Sequence, residues 1–411
     1  MKNINKLPLM AKIKIFLFLI YVLVFYMFGA DPNKVKYSEI ILIIFLGLEL
    51  IEVCKTKKIK YTIPILIMFI FTFYCYLSNF WATNAQLSIN KAKTLFLLST
   101  FLLVTYNFFI NLEMGEDYIL KVIMYAGIFF AIYVIMYYGI GKYFTKLMNG
   151  ERVGEEIDNV NAIGLQTSIS FIIAIFYALY DNKKIIILLA LIPLIVALGT
   201  GSRKVIILIV LGIFLLFLLK KEEEFNIRKT IKKVLTFLII VILFIYVSQL
   251  SIFSNIFNRL DSMLNMVTQN GKVDSSTKLR ETYIKLGTRQ FLQSPLFGIG
   301  VGNSGYITSS ETKHFTYLHN NFVELLSTTG IVGFSLYYSV YIYIIFYCIK
   351  FLKKRNKYIN ITLIIFFINL VLEYGVVTYY SKTTYIYILL GLITIENERR
   401  KKINEQNNKI D

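Results

Sequence analysis

The chain is poor in several residue types, and each shortage removes a class of explanation. Its 411 residues include three cysteines, Cys54, Cys75 and Cys348. The number is odd and all three fall within or at the ends of apolar runs. Neither a disulfide framework nor a cysteine metal site is indicated. Five prolines leave long stretches free to be continuous helix. The two histidines, His314 and His319, make the choice of a general base near neutral pH a short one. Acidic residues number 25 against 44 Lys and Arg, a formal charge of +19. Such an excess can mark a nucleic-acid partner, but the placement of these charges points elsewhere.

Apolar residues are abundant, at 56% of the chain, and they come in runs. The runs are predicted at about 13–29, 38–54, 61–80, 94–112, 119–140, 161–180, 185–200, 203–219, 233–251, 330–349, 358–377 and 383–395. A helix needs about 20 apolar residues to cross the hydrocarbon, and these runs lack the alternation of a barrel strand. The fold class expected is all-α: a polytopic membrane protein of about 12 transmembrane helices, with 1–411 forming a single integral membrane domain. The pair around Pro193 and Gly199-Thr200-Gly201 could instead be a re-entrant or kinked hairpin. The first run follows lysines but lacks a good cleavage site, so it reads as a membrane helix rather than a signal peptide.

Lys and Arg concentrate in the short segments 1–14, 55–60, 220–233, 350–357 and 396–411, all on one side of the alternation. By the positive-inside rule that side is cytoplasmic, so both termini are expected inside. The basic excess is then topology and calls for no nucleic acid. The largest polar connection, 252–329, faces outward and carries both histidines. Within it, Phe253, Ile256, Phe257, Leu260, Met263, Leu264 and Val267 follow helical spacing, as for an amphipathic helix on the membrane surface. A break at Gln269-Asn270-Gly271-Lys272 precedes a second predicted helix from Ser276 to Gln293, which Pro295 ends. Asn321 with Glu324 resembles a capping box and Gly330 would close that short helix, so His319 stands just before a helix N-terminus. The tail 396–411 is polar and expected to be disordered.

His319 can be read as a plain boundary residue or as a general base for a sugar hydroxyl; His314 competes for the second role. Arg203 and Lys204 follow Gly199-Thr200-Gly201-Ser202 and head an apolar helix. Cations are unfavourable at a helix N-terminus, so placing them there builds an anion pocket, although a snorkelling arginine is the plainer reading. Arg280 and Arg289, nine residues apart, lie on opposite faces of one helix. Arg280 is favoured because Leu279, Tyr283 and Leu286 form an adjacent strip that would dock it towards the membrane. Arg152 opens a polar loop whose Asp158-Asn159-Val160-Asn161 offers helix-capping residues. Trp81 reads as an interfacial anchor, and Glu373 as a residue that could line an outer cavity. Gly298-Ile299-Gly300-Val301-Gly302 has no βαβ context and is no dinucleotide site.

In order and spacing, Ser78-Asn79-Phe80-Trp81-Ala82, Asp158-Asn159-Val160-Asn161, Gly199-Thr200-Gly201-Ser202-Arg203, Arg280, Ser294-Pro295-Leu296-Phe297-Gly298-Ile299-Gly300 and His319-Asn320-Asn321 with Glu324 and Gly330 resemble the O-antigen ligase and polymerase superfamily. The resemblance implies metal-independent, cofactor-free, inverting transfer of a polyprenyl-diphosphate-linked oligosaccharide on the outer face of the cytoplasmic membrane. It implies that Arg203 and Arg280 hold the donor diphosphate and that His319 deprotonates the acceptor. Lys204, Arg289, Arg152 and Asn320 are further candidates for substrate binding, and a chain-length regulator is an implied partner. An AT-rich composition inclines the reading to a capsule or O-antigen polymerase, with a ligase as the alternative. A lipid-linked oligosaccharide transporter would favour inverted repeats and charges at mid-bilayer, whereas the charges here gather at outer helix ends. A polyprenyl-monophosphate mannosyltransferase resembles its relatives in an acidic pair on the first outer loop, and Asp31-Pro32-Asn33-Lys34 has one acid.

Overall fold

The computed structural model describes residues 7–183, 185–220, 235, 275–354 and 356–407. Among them every regular element is a helix: α1 Leu9–Phe28, α2 Val35–Thr56, α3 Ile63–Leu77, α4 Ala85–Phe109, α5 Gly115–Tyr138, α6 Ile140–Met148 and α7 Val160–Tyr180. They continue as α8 Ile185–Gly199, α9 Arg203–Leu219, α10 Ser275–Gln293, α11 Ser304–Thr312, α12 Asn321–Phe351, α13 Lys357–Glu373 and α14 Lys382–Asn407. The predicted span 233–251 (residue 235 apart), the amphipathic segment 253–267 and the break at 269–272 lie outside the described residues.

Six helices are long and apolar enough to cross a membrane: α1, α3 with its extension to Phe80, α4, α5, α7 and α12. The expected twelve are therefore not reached among the described residues. The shortfall has visible causes. Helices α8, α9 and α13 have 15, 17 and 17 residues. At about 1.5 Å per residue, α8 falls short of a hydrocarbon core of about 30 Å. Helix α2 carries Lys36, Glu39, Glu49, Glu52 and Lys55, and α14 turns polar from Glu396. Pro193 sits inside α8 without ending it, and residues 200–202 join α8 to α9. Residues 396–407, expected to be disordered, instead continue α14 as helix, and 408–411 lie outside the described residues. There the Arg399 guanidinium lies 4.1 Å over the Tyr347 ring, and Arg400 donates to the Ile110 carbonyl.

Contacts gather into two units. The first comprises Met1–Ile51, Glu116–Gly271 and Arg355–Ile365; the second comprises Glu52–Gly115, Lys272–Lys354 and Phe366–Asp411. In the first, α7 packs against both α8 and α9, and a buried ion pair, Lys14 with Glu49 at 2.7 Å, ties α1 to α2. Asp117 accepts from Tyr177 and Tyr358, and Lys357 pairs with Asp181. These bonds bring Asp117, Asp181 and Lys357 to one end of the first unit. In the second unit α3 packs on α4 and α12, and α14 packs on α4 and α12. Asn107 exchanges bonds with the Lys60 backbone near the Arg400 contact, so 55–60, the end of α4 and the tail also share one side.

Candidate functional site

The second unit collects at one end four stretches that are far apart in the sequence. The turn after α3 meets the Gly-rich loop after α10: Val301 N–H donates to Ser78 Oγ, Thr83 N–H to the Ile299 carbonyl and Asn84 N–H to Asn303 Oδ1. The Asn303 amide also donates to Ser88 Oγ at 2.9 Å. The same loop joins α12, where Ile299 N–H donates to the Ser327 carbonyl and Ile331 N–H to that of Pro295. Gly330 makes this approach possible. Its φ of 63° and ψ of −172° interrupt α12, and a Cβ there would stand 2.2 Å from the Leu296 oxygen. The predicted close of the short helix at Gly330 is thus a break, after which α12 resumes. Trp81 is part of this junction: its indole N–H reaches the Phe297 carbonyl at 3.3 Å and its ring packs on Phe297 and Tyr74.

Above the junction sits His319, in the left-handed region at φ 57°. The residue after it caps α12: Asn320 Oδ1 accepts from Val323 N–H, and its amide donates to the Tyr374 carbonyl. The cap is one residue earlier than the sequence pattern indicated. Asn321, read there as the cap, instead donates to the Tyr338 hydroxyl and accepts from the backbone of Thr378 and Tyr379. Glu324 reaches back to Leu318 N–H at 2.9 Å. Both ends of the Asn320 amide are therefore committed to fixing the His319 turn.

The His319 ring lies parallel to Tyr283 at 5.9 Å and 4.1 Å from Tyr317. Tyr283, Leu286, Ile307 and Leu318 form a small apolar core, with Leu279, Ile299 and Val323 packed against it. The strip on α10 expected to face the membrane thus packs on α11 and the start of α12. Gly287 allows the close approach, since a Cβ there would stand 2.5 Å from Val323. Arg280, half-buried on this helix, acts on Tyr317: burial raises the Tyr317 pKa, Arg280 opposes the rise and Glu324 adds to it. Arg289 points elsewhere and pairs with Glu311 at 2.6 Å, both largely exposed. His314 is exposed, on the loop after α11.

Two further residues join this site, of which the first was not singled out by sequence. Lys91, in the second turn of α4, places its ammonium 3.5 Å from the centre of the Tyr380 ring. Glu373 is fully buried and accepts from Tyr338, Tyr341, Thr378 and Asn369, so it braces the loop after α13.

In the first unit the remaining sequence pieces also converge. Asn159 caps α7, and Ser202 Oγ donates to Asn161 Oδ1 at 2.8 Å. Arg152 Nε donates to the Thr200 carbonyl, Val153 N–H to that of Gly199, and the Arg152 guanidinium lies 3.4 Å from Glu155. This fixes the turn that presents Arg203 and Lys204, both half-buried, as the first residues of α9. The N–H groups at that helix end favour an anion.

Residues 188–338 match the family model described as O-Antigen ligase. That segment is similar to the O-antigen ligase family. It covers a little over a third of the chain. The matched segment includes Arg203, Lys204, Arg280, Arg289, His319 and Asn320, while Arg152, Lys91, Glu373 and Tyr380 lie outside it. A search among curated proteins gave no match. The match supports the O-antigen ligase/polymerase superfamily, whose members carry out glycosyl transfer, and it fits a multi-pass protein of the lipid bilayer.

Proposed function

We propose that this protein is a polysaccharide polymerase that joins polyprenyl-diphosphate-linked oligosaccharide repeats on the outer face of the cytoplasmic membrane, with both termini inside. The observation that supports this reading most is the seat of His319. The imidazole is held on a fixed turn between two tyrosines, at a capped helix end, with Arg280 acting on the adjoining Tyr317.

In this reading His319 takes the proton of the acceptor hydroxyl as its oxygen bonds to the anomeric carbon. The bond from that carbon to the diphosphate oxygen breaks on the opposite face, and its electron pair leaves with the polyprenyl diphosphate. Attack and departure on opposite faces invert the anomeric centre. The leaving group is already charged, so fixed guanidinium groups in a water-poor site supply the stabilisation. Arg280 suits this role because its planar fork matches two phosphate oxygens. By the family resemblance Arg203, seconded by Lys204, is a further diphosphate ligand. Arg152 acts by holding the Arg203 turn, Asn320 by holding the His319 turn, and a chain-length regulator would act from outside this chain.

A polymerase and a ligase differ in the acceptor, so the test separates them. His319→Ala and His314→Ala are expressed in a strain deleted for this gene, and envelope glycans are resolved on gels. Loss of the long-chain ladder with single lipid-linked repeats accumulating, for His319→Ala alone, supports the polymerase. Polymer still assembled but stranded on its lipid carrier points to the ligase. An unchanged ladder at normal protein level overturns the assignment.

A further inference from the structure

Lys91 is an anomaly in the second unit. It sits half-buried in the second turn of α4, whose N-terminus is pinned to the Gly-rich loop through Asn84 and Asn303. Its ammonium rests 3.5 Å over the Tyr380 ring. Among the described residues it makes no hydrogen bond and no ion pair. Glu324 attracts it electrostatically from beyond ion-pair distance, but that carboxylate is turned to the Leu318 N–H. An ammonium carries three N–H donors and no acceptor, and an aromatic face satisfies its charge without accepting these donors along their own directions. A cation held out of bulk water in this way is poised for an oxyanion.

The surroundings say where that oxyanion belongs. Tyr380 and Tyr317 interact electrostatically, Tyr317 touches the His319 ring, and Arg280 acts on Tyr317. The loop carrying Tyr380 is bonded at Thr378 and Tyr379 to Asn321, two residues beyond His319. Lys91 rests on Tyr380 while Arg280 acts on Tyr317, and the two cations approach this region from different helices, α4 and α10. Sequence reading passed over Lys91 because a lysine near the start of an apolar helix is normally an interfacial charge.

We propose that Lys91, seated on the face of Tyr380, is an oxyanion-binding residue of the His319 site, taking a phosphate or carboxylate group of the lipid-linked glycan. The identity of the glycan rests on the glycosyl-transfer reading; anion binding itself does not. The phosphate arm would come from the lipid carrier's diphosphate, and the carboxylate arm from an acidic sugar.

The test uses the full-length protein in detergent and needs no turnover, so it can fail while the glycosyl-transfer reading stands, and the reverse. Binding of inorganic pyrophosphate and of glucuronate is titrated for wild type, Lys91→Met and Lys91→Arg, following the emission of Trp81, the only tryptophan. Removing the charge while keeping the chain length should weaken one anion about tenfold or more, with Lys91→Arg close to wild type. Weakening for pyrophosphate assigns the phosphate source, and weakening for glucuronate assigns the carboxylate. A second measurement needs no variant: amine acetylation of wild type, mapped by mass spectrometry with and without each anion. Protection of Lys91 by either anion supports the site. Absence of binding by wild type, or binding by Lys91→Met equal to that of wild type, with Lys91 unprotected by both anions, overturns it.

Discussion

Replacing Glu373 tests how the site is held together. Its two carboxylate oxygens accept from four side chains: Tyr341, Asn369 and Thr378 on Oε1 at 2.8, 3.1 and 2.6 Å, and Tyr338 on Oε2 at 2.8 Å. The carboxylate is fully buried, so Glu373→Ala leaves these donors without water to replace it. Each stranded buried donor costs about 1–3 kcal/mol. Hydroxyl groups can turn to other partners, so the four do not add in full, and the expected loss is about 3–5 kcal/mol. Glu373→Gln keeps one carbonyl oxygen and offers an N–H₂ where Tyr338 expects an acceptor, for a loss of about 1–2 kcal/mol. The effect should reach the site, because Tyr338 also bonds Asn321, which holds the Thr378–Tyr379 backbone beside the His319 turn. The assay is the temperature at which half the detergent-solubilised protein ceases to run as a single species, alongside glycan transfer. Stability should fall in the order wild type, Glu373→Gln, Glu373→Ala, with transfer following. An alanine variant as heat-resistant as wild type would refute the reasoning.

Other substitutions probe separate links. Gly330→Ala forces a side chain into a backbone conformation that costs about 1–3 kcal/mol and drives a Cβ against the Leu296 carbonyl; the same heat assay should show a clear loss, and wild-type behaviour would mean that the break is not needed. Lys14→Met removes the lysine that pairs with the buried Glu49 carboxylate and should cost about 3–5 kcal/mol, most of it regained in Lys14→Met/Glu49→Leu; a double variant no better than the single would show that the pair has another role. Arg289→Ala removes an exposed ion pair with Glu311 and should change stability by less than about 1 kcal/mol with transfer near wild type. A large loss of transfer there would move the second diphosphate contact from Arg280 to Arg289.

Much of this arrangement was legible in the chain because helix signals are local. Pro295 ended α10 as expected, Asn159 capped α7, and Gly330 broke the helix that follows His319. The short motifs were legible as separate pieces. Their convergence was not, because the bonds from Ser78, Thr83 and Asn84 to the 299–303 loop join residues with no sequence relation. The apolar strip on α10 was read correctly as a strip and wrongly as membrane-facing, since amphipathicity does not say what covers a face. A local pattern also could not place the cap: Asn320 and Asn321 are chemically alike, and tertiary bonds to Tyr338 and the 378–379 backbone took the second away. The tail looked disordered on composition alone, yet Arg399 and Arg400 find partners on α12 and at the end of α4.

The most direct test of the central claim is the rate at which the purified protein consumes a polyprenyl-diphosphate-linked oligosaccharide, wild type against His319→Ala, with donor binding measured in parallel. A positioned general base contributes about 10²–10⁴-fold. The account predicts a rate loss in that range with donor binding unchanged, while His314→Ala behaves as wild type. A His319→Ala variant that turns over at the wild-type rate would contradict it.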